Sequence, residues 1–267
     1  MIKNLNKKVK FEKRSMKSLI KCLFLVLSIC LTSCYGTDDD IDKVCNANCN
    51  IFNGRIYTEN NIGIPDVEIT LSYSLNQIGA NYNRIIAKSK TDSHGNYTIE
   101  AFIKDSEFNV GVFHLTLDEY KIENSITNEF YKPSELVNQV SPRINECSFS
   151  DIENRSQIKT IDYIIRYKTN LTVNLNNFNS TNTFDQFGIG NRIPYGFQLN
   201  NNRFLTKQNT DTGFGYSNGF NSTIIIPSVY GVNYFRVIRF KNGLDEGTNE
   251  TITINNPNTN PPLNYSY

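Results

Sequence analysis

Val67-Glu68-Ile69-Thr70-Leu71-Ser72-Tyr73 places an apolar side chain at every second position and a polar one between each pair. A strand turns successive side chains to opposite faces, so this stretch reads as a half-buried strand with one face in water. Tyr97, Ile99 and Ala101 repeat the pattern, as do Ile161, Tyr163, Ile165 and Tyr167, with Asp162 and Arg166 facing out. Leu171, Val173 and Leu175 then alternate with Thr172, Asn174 and Asn176. Strand candidates follow at Tyr195–Leu199, Thr223–Ile226, Val232–Phe240, Thr251–Ile254 and Leu263–Tyr267. Long amphipathic helical periods are missing; Pro133–Val140 alone has the composition of a short helix. Asparagine occurs 39 times, which suits a loop-rich β protein because its side chain closes turns and tolerates left-handed backbone. The expectation is an all-β chain folded as two small β-sandwiches.

The 267 residues carry a formal charge of +1, which averages two unlike pieces. Residues 1–33 hold eight basic side chains against Glu12 alone; removing them from 27 basic and 26 acidic residues leaves 19 and 25, about −6. A chain of that sign repels nucleic acid, so no nucleic-acid partner is expected. The basic stretch runs into Leu23–Leu31, an apolar segment too short to span a bilayer as a helix, which needs about 20 residues. This is the layout of a signal peptide, and Met16 with Lys17 and Lys21 already supplies a complete start.

The segment ends in Leu31-Thr32-Ser33-Cys34, which resembles the lipobox of bacterial lipoproteins. The resemblance implies cleavage before Cys34, a diacylglyceryl group on its sulfur and an acyl chain such as palmitate on its new amine. Two or three chains anchor firmly, at about 0.8 kcal/mol per buried CH₂. Position 35 is Tyr rather than the Asp that retains lipoproteins at the inner membrane in the best-known sorting rule. The acidic run Asp38-Asp39-Asp40 with Asp42 resembles surface-export signals, and equally reads as a solvated tether. The expected organisation is a signal peptide over 1–33, an acidic tether over 34–50, and sandwiches over 51–167 and 168–267. The expected location is the outer membrane, facing the cell surface, with its periplasmic face as the alternative.

Two stretches of the first sandwich carry a second resemblance. Gly54-Arg55-Ile56-Tyr57, followed by Gly63-Ile64-Pro65-Asp66-Val67, and then Thr91-Asp92-Ser93-His94-Gly95-Asn96-Tyr97 are similar to the carboxypeptidase regulatory-like family. Gly63 and Asp66 stand where that family often has Pro and Gly. The resemblance implies a transthyretin-like, prealbumin-type β-sandwich, an accessory module without an active site. In the turn, Asp92 can bond backbone amides, Gly95 supplies a positive φ and Tyr97 starts the inward face. The second sandwich resembles no family in particular.

Chemical motifs are sparse. Gly215-Tyr216-Ser217-Asn218-Gly219 fits a nucleophile-elbow pattern, but both histidines, His94 and His114, lie upstream of it and the surroundings are turn residues. Asp211-Thr212-Gly213 has the letters of an aspartic-protease triplet without its preceding buried strand, and reads as a turn. His94 and His114 are not spaced for zinc, and the acidic run lacks the glycine turn of a calcium loop. No catalytic, metal or cofactor site is expected. Phe214, Tyr216, Phe220, Tyr230, Tyr234 and Phe235 read as core before they read as a sugar platform, because the chain has no Trp. The expected role is non-enzymatic, in contact with an envelope protein or as a spacer, with glycan binding for a nutrient uptake system as the alternative and a hydrolytic role a distant third.

Cleavage would leave Cys45, Cys49 and Cys147 beside Cys34 in an oxidising compartment, where thiols pair. Domain ends often lie close together, which favours Cys49–Cys147, or Cys45–Cys147, closing a loop of about 100 residues with an ideal stabilisation near 4.7 kcal/mol. The rival is a local Cys45–Cys49 bridge. A three-thiolate metal site lacks a fourth ligand.

Overall fold

A computed structural model of the chain describes residues 39–41, 43–77, 80–136, 145–176, 185–199, 203–204, 210–217, 222–255 and 261–266. The signal segment, the lipobox with Cys34, and Asp38 and Asp42 of the acidic run lie outside them. The architecture is all-β, and no helix among the described residues is long and apolar enough to cross a membrane.

The first sandwich contains β1 (Asn50–Thr58), β2 (Glu68–Gln77), β3 (Ala80–Lys90), β4 (Asn96–Ala101), β5 (Val112–Leu117), a short helix α1 (Glu119–Ser125), β6 (Glu146–Phe149) and β7 (Ile158–Ile165). One sheet runs β3-β2-β5-β6 and the other places β1 between β4 and β7. The alternation predicted for 67–73 is present: Val67, Ile69, Leu71 and Tyr73 are buried, and the residues between them are not. They pack with Phe52, Ile56, Phe113, Leu115 and Tyr163 from both sheets. Asp118 caps α1 by accepting from Lys121 N at 3.1 Å, and Ile122 fixes the helix to the core. Of the helix expected over 133–140, Pro133–Leu136 forms a single 3-10 turn and the remainder lies outside the described residues.

A bulge in β3 decides what its far end does. Pairing with β2 slips between Leu71 and Ser72, leaving Ile86 as an extra residue. Strand parity reverses there: Arg84 and Ile86 point inward ahead of it, while Lys88 and Lys90 face water behind it.

The expectation of a solvated tether over 34–50 fails at Asp40, although most of the other described residues of that segment are exposed. Asp40 is 5% exposed, and its carboxylate accepts from Arg84 Nη1 at 2.7 Å and from Lys43 Nζ at 2.6 Å. Its amide donates to Ile85 O at 2.9 Å, and Asp39 Oδ1 accepts from Ile85 N at 3.1 Å. Arg84, with its side chain fully buried, also donates to both carboxylate oxygens of Glu107, from Nε at 2.9 Å and from Nη2. The cause is that buried guanidinium: an inward arginine needs carboxylates around it, and the N-terminal segment supplies one. Burial pushes the Asp40 carboxyl up, but the Lys43 hydrogen bond and the charges of Arg84 and Lys104 outweigh it and hold the group below its ordinary range.

The long-range disulfide is likewise corrected. Cys45 bonds to Cys49, and Cys147 is a free, fully buried thiol. The alternation of β6 turns Cys147 into the core, and β6 belongs to the sheet opposite β1, the strand that Cys49 leads into. Neither Cys49–Cys147 nor Cys45–Cys147 forms, and the two cysteines four residues apart close on each other.

The second half contains β8 (Thr169–Asn176), β9 (Gln186–Ile193), β10 (Gly196–Leu199), β11 (Arg203–Phe204), β12 (Thr210–Ser217), β13 (Ser222–Ser228), β14 (Gly231–Lys241), β15 (Leu244–Asp245), β16 (Thr248–Ile254) and β17 (Leu263–Ser266). A sheet β13-β8-β17 faces a sheet in which β12, β9, β14 and β16 are neighbours in that order. Leu171, Val173, Leu175, Phe187, Ile189, Phe235 and Val237 form the core between them. Two strands go elsewhere, β11 pairing with β10 in the sheet of β7, β1 and β4. β10 pairs with β7, so Tyr195 and Phe197 belong to the first core, edge-on to Tyr163 at 5.8 and 5.0 Å.

Candidate functional site

The signature turn is a framework element. Asp92 Oδ1 accepts from His94 N at 2.8 Å and from Asn96 N at 2.9 Å, and hydrogen bonds from Asn96 and His94 hold its carboxyl below the ordinary range. Gly95 has φ of 80°, and a Cβ there would come within 2.3 Å of Ile56 O. Tyr97 is buried and its hydroxyl donates to Ile161 O at 2.6 Å, joining β4 to β7 across β1. Thr91 Oγ1 ties the turn to the head of β2, accepting from Val67 N at 2.9 Å.

His114 has partners that the sequence did not disclose. On the open face of the β3-β2-β5-β6 sheet, its Nε2 lies 2.7 Å from Ser74 Oγ and its Nδ1 lies 3.0 Å from Glu146 Oε1 and 3.0 Å from Ser148 Oγ. These distances match a nucleophile, base and orienting acid. The surroundings do not, because Ser74 sits in a central strand with β3 on one side and β5 on the other. Backbone amides that would stabilise an oxyanion are committed to the ladders, and Nδ1 is shared between two partners. The row therefore reads as cross-strand pairing on a wet face. His94 is an exposed turn residue. No group of three or more His, Cys, Asp or Glu placed to hold a metal occurs among the described residues.

The two short motifs are corrected in conformation. Asp211–Gly213 and Gly215–Ser217 lie within β12, paired to β9 with a register shift between Thr212 and Gly215, rather than in turns. Cross-strand pairing overrides their local turn preference, with the irregularity falling between Thr212 and Gly215. Of the aromatic cluster, Phe235 is core, whereas Tyr230 and Tyr234 are 44% and 47% exposed; the side chains of Phe214, Tyr216 and Phe220 lie outside the described residues.

The most elaborated region is the junction between the sandwiches, built around Tyr131. This residue follows α1, in the loop that carries Phe130. Its amide donates to Arg166 O at 2.9 Å, and its hydroxyl reaches Ser228 O at 2.9 Å and Thr169 O at 3.0 Å. Tyr195 donates in turn to Tyr131 O at 2.9 Å. Burial, only partly offset by these hydrogen bonds, pushes the Tyr131 hydroxyl up to about 12. Arg166 pairs with Glu59 at 3.0 Å and donates from Nε to Pro194 O at 2.9 Å. Val229, from the turn after β13, is fully buried in the first core. The two halves are joined, among the described residues, by shared core side chains and by hydrogen bonds to backbone carbonyls. Sequence reading missed Tyr131 because it stands outside every alternating run.

Beside this junction lies a cavity of about 750 Å³, bordered by Glu59, Asn128, Glu129, Tyr167, Lys168 and Tyr230. Tyr167 is stacked on Phe130, with centroids 4.2 Å apart. A cavity of about 560 Å³ lies over the His114 row.

No family model matches the chain, and no curated protein matches it. Among solved structures it is similar to the Bacillus anthracis TIE protein at 11% identity and a TM-score of 0.26, covering 82% of this chain and 33% of that one. It is also similar to a streptococcal ancillary pilin at 10% identity and a TM-score of 0.29, covering 83% and 62%. The shaft pilin SpaA of Lactobacillus rhamnosus GG matches at 9% identity and a TM-score of 0.25, covering 82% and 96%. The chain thus spans a third of the first and less than two thirds of the second. With TM-scores below 0.3 these likenesses carry no argument about function. The family therefore stands unassigned, and the chain is identified by its architecture: an all-β protein of two joined β-sandwiches.

Proposed function

We propose that the chain is a non-enzymatic lipoprotein of the outer membrane, held by Cys34, whose two sandwiches act as one stiff module for contact with a partner protein at the cell surface. The welded junction carries the reading. A spacer or contact module works by holding its distal surface at a fixed distance and angle, and Tyr131, Arg166 and Val229 couple the halves in a way that a free linker would not. The signature turn supports a carboxypeptidase regulatory-like type for the first sandwich, since Asp92, Gly95 and Tyr97 organise structure and face no cleft. The lipobox supports the anchor.

The test is fractionation of cells expressing Cys34→Ala. Loss of labelled palmitate and release into the soluble fraction are expected; label persisting on that variant overturns the anchor. Surface display is tested by protease added to intact cells. The variant used must spare Asp39 and Asp40, which bond to β3, so Asp38→Ala with Asp42→Ala is the appropriate pair. Shielding of that variant from protease would make the acidic run an export signal, and unchanged cleavage would leave it as structure alone.

A further inference from the structure

The cavity at the junction has a division of labour among its polar groups. Glu59 is engaged by Arg166 Nη1 at 3.0 Å and by Tyr167 N at 3.1 Å, and Lys168 is held by Glu135 at 2.7 Å. Those charges are already answered and cannot be the groups that await a ligand. Asn128 and Glu129 border the same space, are exposed, and make no side-chain hydrogen bond or ion pair among the described residues. Between them they offer an amide donor and three acceptor oxygens in two planar groups. The aromatic border is Tyr167, steadied by its stack on Phe130, and Tyr230, which stands 44% exposed in the turn between β13 and β14.

We propose that this cavity binds a neutral oligosaccharide. A pyranose presents an apolar C–H face to an aromatic ring and a rim of neighbouring hydroxyls to planar carboxylates and amides; Tyr167, Tyr230, Asn128 and Glu129 provide both kinds of surface. An anionic ligand is disfavoured, because the one cation bordering the cavity among the described residues, Lys168, is paired with Glu135, and Glu129 contributes a carboxylate. The size fits: about 750 Å³ lies within the range of small-molecule sites, roughly 300–1,000 Å³, which often form where two domains meet. Both halves contribute, Tyr230 from the second and Asn128 and Glu129 from the first, and the Tyr131 bridge fixes one border against the other. A preformed site of this kind loses little freedom on binding. The inference is independent of the anchor at Cys34, since it rests on the cavity alone.

The experiment is calorimetric titration of the purified full chain, in a detergent without sugar headgroups, with maltotriose, cellotriose, xylotriose, mannotriose and tri-N-acetylchitotriose. At least one is expected to bind with a dissociation constant of about 1 mM or tighter. Tyr230→Ala and Glu129→Gln should each weaken that binding about tenfold, while Tyr234→Ala, exposed on β14 and outside the cavity, should leave it unchanged. Tyr230 and Glu129 are exposed side chains, so the variants should keep the wild-type unfolding midpoint, measured in parallel. Absence of binding by all five sugars overturns the proposal. So does binding that survives Tyr230→Ala, or that is lost equally in Tyr234→Ala. A failure here leaves palmitate labelling of Cys34 unaffected, so the two readings fail separately.

Discussion

Replacing Asp40 by alanine removes one arm of the clasp around Arg84. Arg84 then keeps Glu107 on Nε and Nη2 but loses the 2.7 Å bond from Nη1. Stripping a buried ion of its only partner costs about 3–5 kcal/mol; here the charge remains compensated, and the loss is nearer one hydrogen bond to a charged group, about 2 kcal/mol. Glu107→Ala removes two bonds to the same guanidinium and the acceptor for Lys104 N, so it should cost more, about 3–5 kcal/mol. Urea unfolding followed by circular dichroism reads both, with the midpoint falling and the slope unchanged. For Asp40→Ala the melting temperature should fall by about 4–8 °C. Acid adds a second reading. The folded carboxyl titrates below its ordinary range, so its contribution is complete above about pH 5 and is lost as pH drops through the folded value. The gap between wild type and Asp40→Ala should therefore close on acidification towards pH 2. A variant within about 0.5 kcal/mol of wild type at pH 7, or a gap that widens in acid, would refute the clasp.

Gly95→Ala should cost roughly 1–3 kcal/mol in urea unfolding, because φ of 80° and the approach of Ile56 O both exclude a Cβ; a neutral result would contradict the turn geometry. Cys147, its thiol pushed up to about 12 by burial, should resist iodoacetamide at pH 8 until urea unfolds the chain; fast native labelling would place it at the surface. Replacing Cys45 and Cys49 together by serine removes a loop of five residues, worth about 2 kcal/mol in the chain-entropy estimate, whereas a loss near 4.7 kcal/mol would restore the long-range bridge. Tyr131→Phe should cost about 1–2 kcal/mol through the orphaned carbonyl contacts of Thr169 and Ser228, and an unchanged midpoint would show that the hydroxyl does not hold the junction.

The periodic elements were readable because burial imposes a period of two. Val67–Tyr73 and Leu171–Leu175 stand in the structure as alternating half-buried strands, whereas β7 ends at Ile165 with Tyr163, Ile164 and Ile165 all buried, because β10 from the second half covers it. Pairing partners were not readable, since alternation says which face is wet and nothing about which strand lies alongside. Tyr195–Leu199 looks the same whether it joins the second sandwich or, as it does, the first. The acidic run read as solvated because nothing local marks Asp40 as buried; its partner lies 44 residues away on β3. Arg84 carried a usable signal, standing in step with Tyr82 and Ile86 on an apolar face, where a charge demands partners. The cysteines were misjudged by the same limit, because the inward parity of Cys147 follows from β6, a four-residue strand with no long pattern of its own.

The claim that the two sandwiches behave as one stiff body is tested most directly by hydrogen exchange of the full chain across a urea series, comparing peptides from β2 in the first core with peptides from β8 in the second. Shared side chains and the Tyr131 bridge predict that both lose protection at one common urea concentration, as a single cooperative unit. Two separate midpoints, with one sandwich open while the other stays protected, would contradict it.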